Sequence, residues 1–146
     1  SPPPPALYKT WLLSESIRRI YIASIYMQST YQTLKQGWSV CPGGIAFTAQ
    51  SGLWDAQGCY EWVKVLRDGG KHSSSGQRDD APAAGDGGGG GGGRELSPWV
   101  MLQGLEVWRI LEGAVPAEVD EFSVAVAEIA CGVDRVEQWV FEKGKE

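Results

Sequence analysis

The sequence predicts a mainly α-helical fold: a small helical bundle with an irregular aromatic-rich loop and a disordered glycine-rich insertion. Three observations predict it. Apolar residues recur at three- and four-residue steps in several long segments, the period of a helix. Residues suited to helix ends stand at the borders of those segments: Ser14, Gly37, Asp55, Ser97-Pro98 and Gly113. A chain of 146 residues that is 42% hydrophobic and holds seven tryptophans has enough for one modest core.

Residues 1–6 read as a proline-rich tail, since Pro2 to Pro5 favour an extended polyproline segment. Residues 7–68 form a first helical half. Leu7, Trp11, Leu12 and Leu13 supply a first helical turn or two. A longer helix is expected from Ser14 or Glu15 to Gln36, with Ile17, Ile20, Tyr21, Ser24, Met27, Tyr31 and Leu34 on one face. Ser14 suits its N-cap, Glu15 its first turn and Gly37 its C′ position. Ile22, Ile25 and Tyr26 widen the apolar face beyond one stripe. Such a helix is expected to be covered on two sides and to lie centrally, with Arg18-Arg19 forming a solvated edge.

Residues 38–54 carry little helical signal. Pro42-Gly43-Gly44 is a turn. Residues 45–48 read as briefly extended, but with no evident partner strand no sheet is expected. Trp38, Phe47, Leu53 and Trp54 are too apolar for an idle loop. Trp38, Phe47 and Trp54 are expected to be buried, clamping the loop across the long helix. Asp55 is placed as the cap of a helix running to about Asp68, with Cys59, Trp62, Val63 and Leu66 on one face and Gly69-Gly70 as its stop.

Residues 69–97 read as a disordered Gly/Ser-rich linker that includes seven consecutive glycines, Gly87 to Gly93. Ordering costs about 1–2 kcal/mol per residue, and this composition buries too little apolar surface to offset it. No Gly-Lys-Ser/Thr follows the glycines, so a phosphate loop is not indicated. His72, the one histidine in the sequence, falls in this tether.

Residues 98–146 form the second helical half. Ser97-Pro98 opens a helix expected to reach about Glu112, with Met101, Leu105, Trp108 and Leu111 on one side. Gly113 and Pro116 turn the chain. Val119, Phe122, Val126, Ile129, Val133, Val136 and Val140 then form a heptad seam. A seam facing the chain's own core is preferred over a coiled-coil partner surface. Gly132 costs about 1 kcal/mol inside a helix, and Asp134 is an alternative cap for a separate final helix. Forty-nine residues are few to fold alone, so this half is expected to pack on the first.

Charge is uneven: net +2 over residues 1–68, −1 over 69–97 and −6 over 98–146, giving −5 in all. An acidic chain without a basic stripe lacks the footprint that drives nucleic-acid binding, so no direct DNA contact is expected. No apolar run approaches the roughly 20 residues that span a bilayer, and no membrane association is expected. Cys41, Cys59 and Cys131 form no C-x-x-C pair and fit a reducing compartment. With the lone histidine in the linker, no Ser-His-Asp or Cys-His arrangement is convincing. No catalytic, cofactor-binding or metal-ligating residue is assigned, and enzyme activity is not expected. The mixture at Val119-Asp120-Glu121-Phe122 has the composition of activation segments, although an amphipathic helix with a solvated acidic face is the stronger reading. Seven tryptophans admit an aromatic-lined ligand pocket, with core packing preferred.

Glu15-Ser16-Ile17-Arg18-Arg19, Gly37-Trp38, Gly43-Gly44 with Phe47-Thr48-Ala49, and Gly52-Leu53-Trp54-Asp55-Ala56 follow one another in order. With the ending Val133 to Val140, this series resembles the C-terminal regulatory region of fungal zinc binuclear-cluster transcription factors. The resemblance covers about two thirds of the chain. The zinc cluster itself, which needs six cysteine thiolates, is absent. The chain therefore reads as a fragment, a truncated relative or a regulatory half. The resemblance implies a regulatory or effector role through protein contacts, with the transcription machinery or with itself, in the nucleus. It also admits a small-molecule inducer. The alternative is a stand-alone helical interaction module.

Overall fold

From Ala6 to Gln36 the chain contains neither glycine nor another proline, and it folds as a single helix, α1 (Pro4–Gln36). The computed structural model describes residues 4–40, 44–72 and 97–145. Nothing interrupts α1 at Ser14, so the expected cap there is an interior residue. Gly37 ends the helix as expected, at φ 83°, with its N–H donating to the Thr33 carbonyl at 2.8 Å.

α1 turns a different face inward from the one expected. Glu15, Arg19 and Ile22 are buried, with Tyr8, Trp11 and Tyr26 partly so, whereas Ile17, Ile20, Tyr21, Met27, Tyr31 and Leu34 are exposed. The helix is apolar on both sides, and the rest of the fold covers one. Polar partners select that side: the peptide of Thr48 and the carboxylate of Asp120 reach Glu15 and Arg19 and no group on the opposite face.

α2 (Cys59–His72) begins four residues after the expected cap at Asp55. The N–H of Gln57 donates to Glu61 Oε2 at 2.7 Å, a return bond of the capping-box kind. Gly69-Gly70 does not stop the helix. Gly69 instead gives clearance, because a Cβ there would overlap the Gln50 side chain.

A small sheet does form. β1 (Ala46–Phe47) pairs antiparallel with β2 (Leu102–Gln103), in the register Ala46 to Gln103 and Phe47 to Leu102. The partner lies inside the segment expected as one helix to Glu112. That segment breaks into a 3-10 turn at Pro98–Val100, then β2, a second 3-10 turn at Gly104–Glu106, and α3 (Trp108–Gly113). Gly104 lets the two backbones close up: its N–H donates to the Ile45 carbonyl at 3.1 Å, and a Cβ would meet that oxygen at 3.3 Å.

A 3-10 turn at Pro116–Glu118 leads to α4 (Glu121–Cys131) and α5 (Val133–Lys143), which pack on each other. Gly132, at φ 95°, separates them, so the seam does not run along one helix. Val119, Val126 and Val136 are buried and Phe122 is half-buried, while Ile129, Val133 and Val140 face outward.

The larger core gathers Trp99, Leu102, Val107, Ile110, Val126 and Trp139, with Ile22, Phe47 and Ala49 entering from the first part of the chain. A second cluster sets Leu53, Ala56 and Trp62 against Tyr8 and Trp11. Of the three loop aromatics expected inside, Phe47 is fully buried and Trp54 partly, but Trp38 is 63% exposed. Trp38 follows the helix end at Gly37 and projects beyond the core. The expected linker falls outside the described residues except at its borders, where α2 continues to His72 and Ser97 is buried.

Candidate functional site

The loop after α1 returns along it, and its backbone is held by residues far ahead in the chain. The N–H groups of Ala49 and Gln50 both donate to the Trp99 carbonyl, that of Ser51 to the Glu118 carbonyl, and that of Asp120 to the Ala49 carbonyl at 2.9 Å. These bonds bring Thr48 and Asp120 over the middle of α1, where Glu15 and Arg19 stand one helical turn apart.

Glu15 is fully buried and accepts from Arg19 Nε at 3.2 Å, from the Thr48 N–H at 2.8 Å and from Arg18 at 3.4 Å. The Arg19 guanidinium also donates to the Thr48 carbonyl at 3.1 Å and forms an ion pair with Asp120. Asp120 caps α4, accepting from the N–H and hydroxyl of Ser123. Aromatic rings flank the cation, Trp54 at 4.3 Å and Phe122 at 4.8 Å from ring centroid to guanidinium carbon. Burying charge is costly unless every group finds partners, and here each one does. The arrangement fixes a cation between two carboxylates and pins three segments together.

A cleft of about 830 Å³ opens beside this cluster, lined by Arg19, Ile20, Ala23, Trp54, Asp55 and Phe122 among others. A second cavity of about 510 Å³ lies between α2 and the Pro116–Glu118 turn, with Glu61, Lys64, Asp68, Glu118 and Gln50 on its walls. The buried Oε1 of Gln50 has no hydrogen-bond partner there. Among the described residues no group of three His, Cys, Asp or Glu could hold a metal ion. Cys59 and Cys131 are free thiols; burial pushes the Cys131 thiol up, with Arg135 opposing it. None of the described helices is long and apolar enough to cross a membrane.

Sequence reasoning assigned no site residue and missed this cluster. Arg19, read as a solvated edge, is buried; Glu15 lies mid-helix; and Asp120 serves an ion pair beyond its cap role. The segment of activation-like composition supplies buried Val119 and Asp120 and half-buried Phe122, so only Glu121 is solvated. A usable signal existed: Glu15 and Arg19 stand four apart on the same stripe as Trp11 and Ile22, where exposed charges would be out of place.

The motif residues that carry the family resemblance meet at this point: Glu15 and Arg19 from the first block, Thr48 from the second and Trp54 from the third. The chain is similar to a transcription factor of Penicillium aethiopicum, gsfR2. The two are 32% identical over 59 residues, which is 40% of this chain and 14% of that protein. The chain thus matches a small part of its relative's length. No family model and no solved structure matches.

Proposed function

We propose that this chain is a regulatory or effector portion of a fungal transcription factor that acts through protein contacts, in the nucleus, without touching DNA itself and without enzymatic activity. The likeness to a fungal transcription factor carries the reading. The surface supports it. On α5, Val133, Glu137, Val140 and Phe141 share one outward face, and Asp134 and Glu142 are exposed beside them. Exposed apolar groups set among charges of both signs, with exposed Arg135 on the same helix and Lys145 over the Phe141 ring, suit a protein partner. The cleft between Trp54 and Phe122 is the place for a small-molecule inducer, since two rings and a few polar groups line it.

The test is to fuse the chain to an unrelated DNA-binding domain and measure a reporter in a fungal host. The reading expects the fusion to change reporter output and Phe141→Glu to diminish that change. A fusion as silent as the DNA-binding domain alone, or a chain that retards duplex DNA by itself at low salt, would overturn it.

A further inference from the structure

We infer that the cavity between α2 and the Pro116–Glu118 turn is a binding site for a small primary ammonium ion that carries a short alkyl chain. It is separate from the cleft at Trp54 and Phe122, and the inference stands whether or not the chain regulates transcription. Gln50, on the cavity wall, carries it. This residue is 5% exposed, and its backbone N–H donates to the Trp99 carbonyl at 3.0 Å. Its amide Nε2 donates to the Val65 carbonyl at 3.1 Å. A carbonyl only accepts, so the amide atom that meets Val65 is the nitrogen, and the orientation of the amide is settled. The other amide atom, Oε1, is buried and finds no donor among the described residues. Glycine at position 69 lets α2 pack directly on this amide, where a Cβ would overlap it. Burying an acceptor without a donor is costly, so the site calls for a ligand that brings one.

The rest of the wall selects the ligand. It carries the carboxylates of Glu61, Asp68 and Glu118 and, among the described residues, a single cation, Lys64. Glu118 is half-buried and is held by the Val115 N–H, which donates to its Oε2 at 3.1 Å. Amide oxygens and ionised carboxylates only accept, so the ligand has to be rich in donors. An ammonium brings three donors and no acceptor. A phosphate or carboxylate would be repelled and would leave Oε1 unanswered. Among the described residues no three of His, Cys, Asp or Glu are grouped to hold a metal, which favours an organic cation over a bare divalent ion. Val65, Val115 and Ala117 form an apolar part of the wall suited to an alkyl chain, and about 510 Å³ accommodates a ligand of this size.

Titrating the whole ¹⁵N-labelled chain with n-pentylammonium at constant ionic strength, and following the Gln50 side-chain amide and the Gly69 and Glu118 backbone signals by NMR, reads the outcome directly. The expected result is saturable binding with Kd of about 1 mM or tighter, the scale for a ligand this small. The neutral 1-pentanol and the anionic pentanoate bind at least about tenfold more weakly, because they lack the charge and the three donors. Glu118→Gln, which keeps an oxygen for the Val115 N–H, weakens the amine roughly threefold or more, and Lys64→Gln, at an exposed position, tightens it by a similar factor. Gln50→Met removes the acceptor and abolishes the amine's preference over pentanol. Glu106→Gln, which does not line the cavity, has no effect. Unfolding midpoints of each variant show that it is folded where it is tested. No saturation below roughly 20 mM, as expected if water or another part of the chain satisfies Oε1, overturns the inference. So do equal affinities for the three probes, or a Lys64→Gln chain that binds the amine no more tightly.

Discussion

Arg19 stands between Glu15 on its own helix and Asp120, 101 positions further along, with Trp54 and Phe122 against its faces. Replacing it by methionine keeps the stem and strands two buried carboxylates, a loss of about 3–5 kcal/mol in chemical denaturation. Arg18→Ala, at a partly exposed pair, should stay within about 1 kcal/mol. The loop aromatics divide the same way. Phe47→Ala removes a fully buried ring that meets Phe122 edge-on and should cost about 3–5 kcal/mol, while Trp38→Ala should shift the midpoint by no more than about 0.5 kcal/mol. Residue type announced that Phe47 and Trp38 were unusual in a loop. It could not distinguish them, because burial of a loop residue depends on where the chain returns, and the return depends on bonds to Trp99 and Glu118. Partial burial pushes the Cys131 thiol up, so it should react with iodoacetamide more slowly in the folded chain than in denaturant.

Among the elements, the part of α1 from Ser14 to Gln36 and its stop at Gly37 were legible because local signals decide them: a helical apolar period free of glycine and proline, and a residue able to take positive φ. Its start at Pro4, inside the expected extended tail, was not, because proline is tolerated in the first turn of a helix. Which face of α1 turns inward was not, since both are apolar and a pair of distant hydrogen-bonding groups makes the choice. The 98–113 segment failed for a related reason. Its apolar spacing is helical, but pairing of Leu102 with Phe47 and the close approach at Gly104 outweigh local propensity. Gly132 was read with its alternative, and the break it makes is testable. Its backbone, at φ 95° and ψ 144°, is open to glycine and strained for any L side chain. Gly132→Ala should therefore destabilise by about 1–3 kcal/mol in spite of alanine's higher helix propensity, and an α4–α5 pair that gains stability would show that the break is not required.

At the scale of the molecule, the acidic balance is concentrated beyond residue 97, where α4 and α5 set carboxylates beside outward Ile129, Val133 and Phe141. That distribution was readable from composition alone; the charge cluster was not, because it joins residues from three parts of the chain. Those contacts make the described residues before position 73 and those of 97–145 share one core, with Ile22 and Phe47 packed among residues of the later segment and Arg19 bonded to Asp120. A double-mutant cycle on the intact chain tests this most directly. Arg19→Met removes the cation, and Asp120→Asn removes the anion while keeping a side chain that still caps α4. Unfolding free energies of the wild type, both single variants and the double variant should give a coupling of roughly 1.5–3 kcal/mol, as expected for groups in direct contact. Effects that add to within about 0.5 kcal/mol would contradict the account, because the two segments would then not be pinned through this pair.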